Sequence, residues 1–323
     1  MRKPTVSICI PTFNEKETLI MLLDSILIQD FNDYEVVITD DSSDNGVEDI
    51  AKEYSHKMYL KYFRNTLRLG SPENWNESIR LAEGEYIKPM HHDDWFADQG
   101  ALRKFVAMLE VHPHADFAFC STQNIDREGG EASIHSLTAH QLQMVRENPE
   151  CLFYKKLGIG APSVTIFRRS SNISFDKNLK WFVDIDFYIR LLSRNINFAY
   201  SDEPLVCVSD VAQNRVTRTI DSTIDLSERV YVFNKIRRNK LSDVKFVNSI
   251  LDRLIGYDKE GFKKARNILR NNHLIFIYYL GILLRFRALS IRFGKRQLKS
   301  LLIYLKIWSY LQRIGNLVSN KRV

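Results

Sequence analysis

The sequence predicts an α/β fold, a mostly parallel sheet flanked by helices, followed by a basic helical C-terminal extension. Three observations carry this. Between residues 5 and 121, short β-branched apolar runs alternate with amphipathic stretches of helical period, the β-α-β-α order of a parallel sheet. One run, YEVVIT at 34–39, is apolar almost without interruption, as a strand buried on both faces requires. The charge is also divided: residues 261–323 hold 14 Lys or Arg and no Asp or Glu, leaving 32 basic and 39 acidic side chains before them. With the change of pattern near residue 220, this separates an α/β domain, 1–220, from a helical, strongly basic region, 221–323.

In order, VSICI opens the first strand over 5–10, and Pro11-Thr12-Phe13-Asn14-Glu15 breaks it. A helix is expected over 15–29, with Leu19, Leu22, Leu23, Ile26 and Leu27 on one face and Asn14 as its N-cap. The strand at 34–39 ends in the polar turn Asp40-Asp41-Ser42-Ser43-Asp44-Asn45-Gly46. A short helix to residue 54, a strand near 58–63 and a helix over 71–82 lead to a strand at 85–90. That strand runs into His91-His92-Asp93-Asp94-Trp95. A helix near 98–112 and a strand near 116–121 follow. Residues 124–150 are polar and read as a loop and a helix, a candidate lid. A strand over 163–167, a helix over 187–194 and short strands near 196–200 and 205–208 complete the first part, and everything beyond 221 reads as helical.

The four cysteines, Cys9, Cys120, Cys151 and Cys207, have no paired spacing, which fits reduced thiols in the cytoplasm rather than a disulfide framework or a zinc site. The apolar run before Pro11 is too short for a signal peptide. The longest uncharged run of the tail, 271–284 between Arg270 and Arg285, is shorter than the ~20 residues a spanning helix needs. It suits a helix lying in a membrane interface, with a second at 298–311; a buried helical hairpin is the alternative. A basic tail on an acidic body implies a polyanionic partner.

Ligands of an open α/β sheet gather at the carboxyl ends of its strands. Carboxylates with imidazole at the end of the 85–90 strand suit Mg²⁺ or Mn²⁺. The competing reading is a solvated acidic turn that caps the next helix. Neither GxGxxG nor GxxxxGK[ST] occurs, so a bound nucleotide must be held by other means.

Four segments now align: VSICIPTFNE, VVITDDSSDNG, GEYIKPMHHDDW and FDKNLKWFVDIDFYIRLL. In this order, each at a predicted strand end or helix start, they resemble the inverting nucleotide-sugar glycosyltransferases of family 2, with the GT-A fold, over residues 4–210. The resemblance implies that Pro11, Thr12, Asn14 and Glu15 line the nucleotide pocket and that Asp41 hydrogen-bonds the base, Asp40 serving mainly the turn. It lays the family's DxD motif on His91-His92-Asp93. Asp93 becomes the ligand of the divalent metal that bridges the diphosphate, and His91, facing ribose and sugar, replaces the first aspartate. Asp94 and Trp95 are left to cap and anchor the next segment. Asp184 matches the aspartate of the Glu-Asp motif, the general base, with Val183 in place of the glutamate and Asp186 as a substitute base. The Asp184 carboxylate is expected to be kept ionised by the helix dipole.

Neither a QxxRW motif nor a transmembrane helix accompanies these motifs. The implied activity is therefore transfer of one sugar, from a UDP-sugar, to a lipid-linked saccharide in bacterial surface polysaccharide assembly. The enzyme would be cytoplasmic, held by its basic tail on the anionic inner face of the membrane. A sugar-nucleotide pyrophosphorylase would need a glycine-rich basic loop after the first strand, which PTFNE lacks. Two alternatives stand beside this reading. One is a nucleic-acid-binding protein that uses the basic tail for phosphate contacts, against which the tail's aromatics fall within apolar runs, so that no nucleic acid is expected as partner. The other is a catalytically degenerate scaffold, on the strength of His91 and Val183.

Overall fold

The computed structural model describes residues 3–125, 133–154, 157–209, 222–236, 244–272, 277–279 and 281. The chain divides into two compact units, Met1–Thr219 and Ile220–Val323.

The first unit opens with β1 (Val6–Thr12), α1 (Glu17–Leu27), β2 (Tyr34–Asp40), α2 (Gly46–Ser55), β3 (Leu60–Arg64), α3 (Glu73–Leu81) and β4 (Tyr86–Pro89). β1 lies between β2 and β4 and is parallel to both, with Val6 opposite Tyr34 on one side and Tyr86 on the other. The strand order β3-β2-β1-β4 reverses at β1. A crevice therefore opens between the carboxyl ends of β1 and β4, the position where doubly wound sheets take ligands. All seven residues of β1 are buried, and Leu19, Leu22, Leu23 and Ile26 of α1 are fully buried, as the apolar periodicity requires.

β5 (Asp94–Phe96), α4 (Ala101–Val111), β6 (Phe117–Ile125), β7 (Ser133–His135), α5 (Ala139–Glu147), α6 (Cys151–Tyr154), β8 (Thr165–Arg168), α7 (Val183–Arg194) and β9 (Phe198–Ser209) follow. β8 runs antiparallel between β4 and β6, and β6 runs parallel to β9. β5 and β7 pair antiparallel to β9 and β6. Among the described residues, six of the nine strands, β1 to β4, β6 and β9, thus point the same way. The two short strands expected at 196–200 and 205–208 are one strand, β9. Its register against β6 shifts around Ser121, opposite Pro204, and such an irregularity admits a proline that cannot donate to the ladder. Asp94 and Trp95, expected to cap and anchor the next segment, instead form β5 with Phe96. The polar stretch 124–150 contributes β7 and α5, the latter with a Thr138–Gln141 capping box. All four cysteines are buried free thiols.

The second unit contains α8 (Ser222–Ile236), α9 (Val244–Gly256) and α10 (Lys259–Asn271). Leu226, Val230, Phe233, Ile250, Leu254, Ala265 and Leu269 form its core, where Arg229 and Arg253 pair with Asp225 at 3.2 and 3.4 Å. α10 buries Gly261, Ala265 and Leu269 and exposes Lys263, Lys264, Arg266 and Arg270. The helix expected at 298–311, and with it the basic stretch from 285 on, lies outside the described residues, as does much of the 271–284 run. No helix among the described residues is long and apolar enough to cross a membrane.

Candidate active site

The ends of β1 and β2 are stitched together before any ligand arrives. Thr12 Oγ1 donates to Asp40 Oδ1 at 3.1 Å, and Tyr62 Oη donates to Asp40 Oδ2 at 2.8 Å. The Ser42 N–H completes the Asp40 shell at 2.9 Å, so Asp40 serves the turn, as its position suggested. Asp41 accepts three hydrogen bonds: from Asn65 Nδ2 at 2.8 Å, from the Leu69 N–H at 3.0 Å and from the Gly70 N–H at 2.7 Å. Its carboxylate holds the loop between β3 and α3, where the Arg68 guanidinium lies 3.8 Å over the Phe13 ring. Asn14 is not the N-cap of α1. The helix begins at Glu17 with Lys16 at the cap position, leaving Glu15 half-buried in the connection. Asn14 is left-handed, with φ of 54°. It donates its N–H to Ser42 Oγ at 2.7 Å and accepts the Ser43 N–H at 3.2 Å, and so ties one strand-end turn to the other.

The end of β4 is built differently. Residues 91–94 form a turn closed by the Asp94 N–H on the His91 carbonyl at 3.1 Å. The segment is therefore not extended, and its first and last residues face each other. His91 Nδ1 lies 3.8 Å from Asp94 Oδ2, and one ligand atom each from His91, Asp93 and Asp94 fall within 4.8 Å of one another. Two carboxylates and one imidazole at that spacing fit a single divalent ion of the Mg²⁺ or Mn²⁺ type. Asp94, the residue sequence reasoning set aside, completes the set. Among the described residues the Asp93 side chain accepts no hydrogen bond, leaving its oxygens available. His92 points elsewhere and donates to the Pro11 carbonyl at 3.4 Å. Pro11 and His91 line one small apolar recess with Trp75, Pro162 and Phe175. Trp75, also missed from sequence, lies 4.6 Å from His91 and 5.1 Å from Phe175, which stacks on Phe187 of α7 at 4.2 Å. This aromatic chain links the β4 turn to α7; the signal for it was an aromatic at the start of a helix that follows a strand-end loop.

Asp184 lies in the first turn of α7, and its Oδ1 accepts the Ile185 N–H at 2.8 Å. The carboxyl is less acidic than a helix N-terminus alone would make it, though still mostly ionised at neutral pH, as expected. The residue retains some surface, but protein packs densely around the carboxyl, and burial pushes its pKa up to about 6. Tyr188, one turn on, is fully buried and donates to the Gly160 carbonyl at 3.1 Å. Asp186, the substitute base, is committed elsewhere: only 1% exposed, it pairs with Arg190 at 2.7 Å, and Arg190 also donates to the Ser174 carbonyl. Val183, where the family has glutamate, is buried in the core.

These strand ends can be set against known proteins. The family model described as "Glycosyl transferase family 2" matches residues 7–175, more than half of the chain. The abequosyltransferase RfbV of Salmonella typhimurium is 38% identical over 121 residues, 36% of this chain and 35% of its own. The putative colanic acid biosynthesis glycosyl transferase WcaA of Escherichia coli is 28% identical over 194 residues, 58% of this chain and 66% of its own. The matches thus span no more than about two thirds of these relatives' own length. Residues 1–349 of Staphylococcus aureus TarS, solved with UDP-GlcNAc, superpose with a TM-score of 0.64 at 19% identity, covering 83% of this chain and 80% of that one. The mannosyltransferase PcManGT of Pyrobaculum calidifontis, solved with GDP-Man and Mn²⁺, superposes at 0.53 and 18% identity, covering 100% and 88%. At such identities the superpositions establish the fold alone, the GT-A architecture expected from the motifs. The family match, which takes in the first three motifs at the ends of β1, β2 and β4, establishes the rest: the chain belongs to glycosyl transferase family 2.

Proposed function

We propose that this protein is an inverting glycosyltransferase that moves one sugar from a nucleotide-diphosphate sugar to a hydroxyl of a lipid-linked saccharide. The observation that carries the reading is the turn after β4, where His91, Asp93 and Asp94 converge at the reversal point of the sheet. When bound there, a divalent ion supplies the positive charge that stabilises the departing diphosphate. His91, Asp93 and Asp94 offer its ligands, while Pro11, Thr12 and the loop that Asp41 anchors form the wall for the nucleotide. Asp184 takes the proton of the acceptor hydroxyl as its oxygen attacks the anomeric carbon from the face opposite the diphosphate. The anomeric configuration inverts, and no covalent intermediate or second catalytic carboxylate is needed. A carboxyl with a pKa near 6 is mostly ionised at neutral pH yet more basic than an ordinary aspartate, which suits this step.

A role in bacterial surface polysaccharide assembly is supported by the names of the relatives, WcaA in colanic acid biosynthesis and RfbV as an abequosyltransferase. UDP as the nucleotide is supported by the UDP-GlcNAc held by the TarS structure. The exposed basic face of α10 and the acid-free stretch 261–323 support attachment to the anionic inner face of the membrane, where lipid-linked acceptors are presented.

The test is nucleotide release by the full-length protein from UDP-, GDP- and dTDP-sugars with Mn²⁺, with and without lipid-linked acceptor. Stimulation by Mn²⁺ and by one donor is expected, and full activity in excess EDTA overturns the metal role. Co-sedimentation with anionic liposomes, with RNA as the competing ligand, tests the tail. A chain truncated at residue 260 should lose most liposome binding, since each basic residue near the surface contributes about 1 kcal/mol. Equal binding by the truncated chain overturns the attachment.

A further inference from the structure

We propose that Lys88 and Ser163 are positioning residues that hold the His91–Asp94 turn in its ion-binding shape. The inference rests on the reading that this turn takes a divalent ion, and it concerns residues for which that reading has no use. Lys88 is fully buried in the middle of β4. Its Nζ donates to the carbonyl of Ser163 and, at 3.1 Å, to that of Pro89, meets Met90 Sδ at 3.0 Å and lies 4.5 Å over the Phe105 ring. None of its hydrogen bonds among the described residues goes to a carboxylate; the Asp94 carboxylate acts on it only at longer range, and burial pushes its pKa down to about 7. Burying an amine with so little compensation is costly, and packing alone would favour an apolar residue there.

The cost has a visible return at the turn. The β4–β8 ladder ends at Ile87 opposite Phe167, before the turn begins, so sheet pairing does not hold the β8 side of residues 88–94. Lys88 spans that gap by fixing the main chain of Ser163. Ser163, itself fully buried, uses its Oγ to accept the His91 N–H at 2.9 Å. That N–H belongs to the first residue of the turn, the one that contributes the imidazole. Lys88, Ser163 and His91 therefore form one chain from the strand to the ligand set. Groups that orient ligands in this way control affinity without touching the ion.

The test is titration of Mn²⁺, followed by the electron paramagnetic resonance of the free ion, into the full-length protein and its Ser163→Ala, Lys88→Met and doubly substituted variants. Thermal unfolding without metal runs in parallel. Each single variant should bind Mn²⁺ about 10- to 100-fold more weakly. The double variant should lose less than the product of the two, because both act through one chain. A role in packing alone would move the unfolding midpoint and leave Mn²⁺ affinity as in the wild type; that result, or fully independent losses, overturns the proposal. If Lys88→Met does not fold, Ser163→Ala decides by the same criterion. A wild type that binds no Mn²⁺ overturns this inference together with the metal role, whereas a binding wild type with unaffected variants overturns this inference alone.

Discussion

Two Asp-Asp pairs stand at strand ends of the same sheet, Asp40-Asp41 after β2 and Asp93-Asp94 after β4, and their surroundings differ. The oxygens of the first pair are occupied by the protein's own donors: Tyr62, Thr12 and the Ser42 N–H on Asp40, and Asn65 with two backbone N–H groups on Asp41. In the second pair, Asp93 accepts nothing among the described residues, and Asp94 faces an imidazole within reach of a shared ion. A carboxylate surrounded by donors holds structure in place, and one that accepts nothing, as Asp93 does among the described residues, keeps its oxygens open to a cation. The dipeptide is the same; the neighbours differ.

The largest expected effect tests that contrast at Asp93. Asp93→Ala should lower transfer on the order of 10³-fold and abolish saturable Mn²⁺ binding, with thermal unfolding nearly unchanged. A folded variant that still binds Mn²⁺ as the wild type does would erase the distinction between the pairs.

Asp184→Asn comes next, with an expected loss in turnover on the order of 10²–10⁴ and little change in UDP or Mn²⁺ affinity. Because the base must be ionised, kcat/KM should fall as pH drops through about 6. The stability effect has the opposite sign. The folded pKa is raised above the ordinary 3.8, so the folded state binds the proton more tightly and loses stability as pH rises from about 4 to 6. Removing the charge should then stabilise the protein by up to about 3 kcal/mol at pH 7 to 8 and by little at pH 4. Denaturant unfolding at the two pH values checks this, and a collapse of UDP affinity would make Asp184 a donor-binding residue instead.

Asp41→Asn breaks the contrast from the other side. One amide cannot accept from all three donors around it, so stability should fall by about 1–3 kcal/mol. Mn²⁺ affinity should stay within twofold in titrations. The smallest effect belongs to His91→Asp, which restores the family's commoner residue in an ion-binding turn. Transfer should stay within tenfold, with any change in donor preference read from KM across a donor panel; complete loss would mean that the imidazole has a function an aspartate cannot supply.

Local pattern was enough for the first half of the sheet. The apolar runs at β1, β2 and β4 and the 3.6-residue stripe of α1 are short-range consequences of burial, and they appear close to where the sequence placed them, except that β1 runs on through Pro11 and Thr12, where a break was expected. The family motifs also put Asp93 and Asp184 at a strand end and a helix start. Local pattern failed where a side chain's partner is distant in sequence. Asn14 has the composition of a cap, but Ser42 and Ser43, 28 and 29 residues on, draw it into a left-handed turn. Asp186 reads as a second base until Arg190 folds back over it.

By itself, the sequence determined the alternation of strands and helices, the polar strand ends that collect a ligand, and the division between an acidic body and a basic tail. Each follows from residue type and spacing along the chain. Only the tertiary structure decided which carboxylates are occupied and which are available. It bent residues 91–94 into a turn, so that Asp94 joined His91 and Asp93. It also buried Asp184 deeply enough for desolvation to outweigh the backbone N–H groups that its carboxylate meets at the start of the helix. The reason is physical: hydrogen-bond satisfaction and desolvation depend on every group within a few ångströms, and at this site those groups come from β1, β4, α7 and the turn before β8, far apart in the chain.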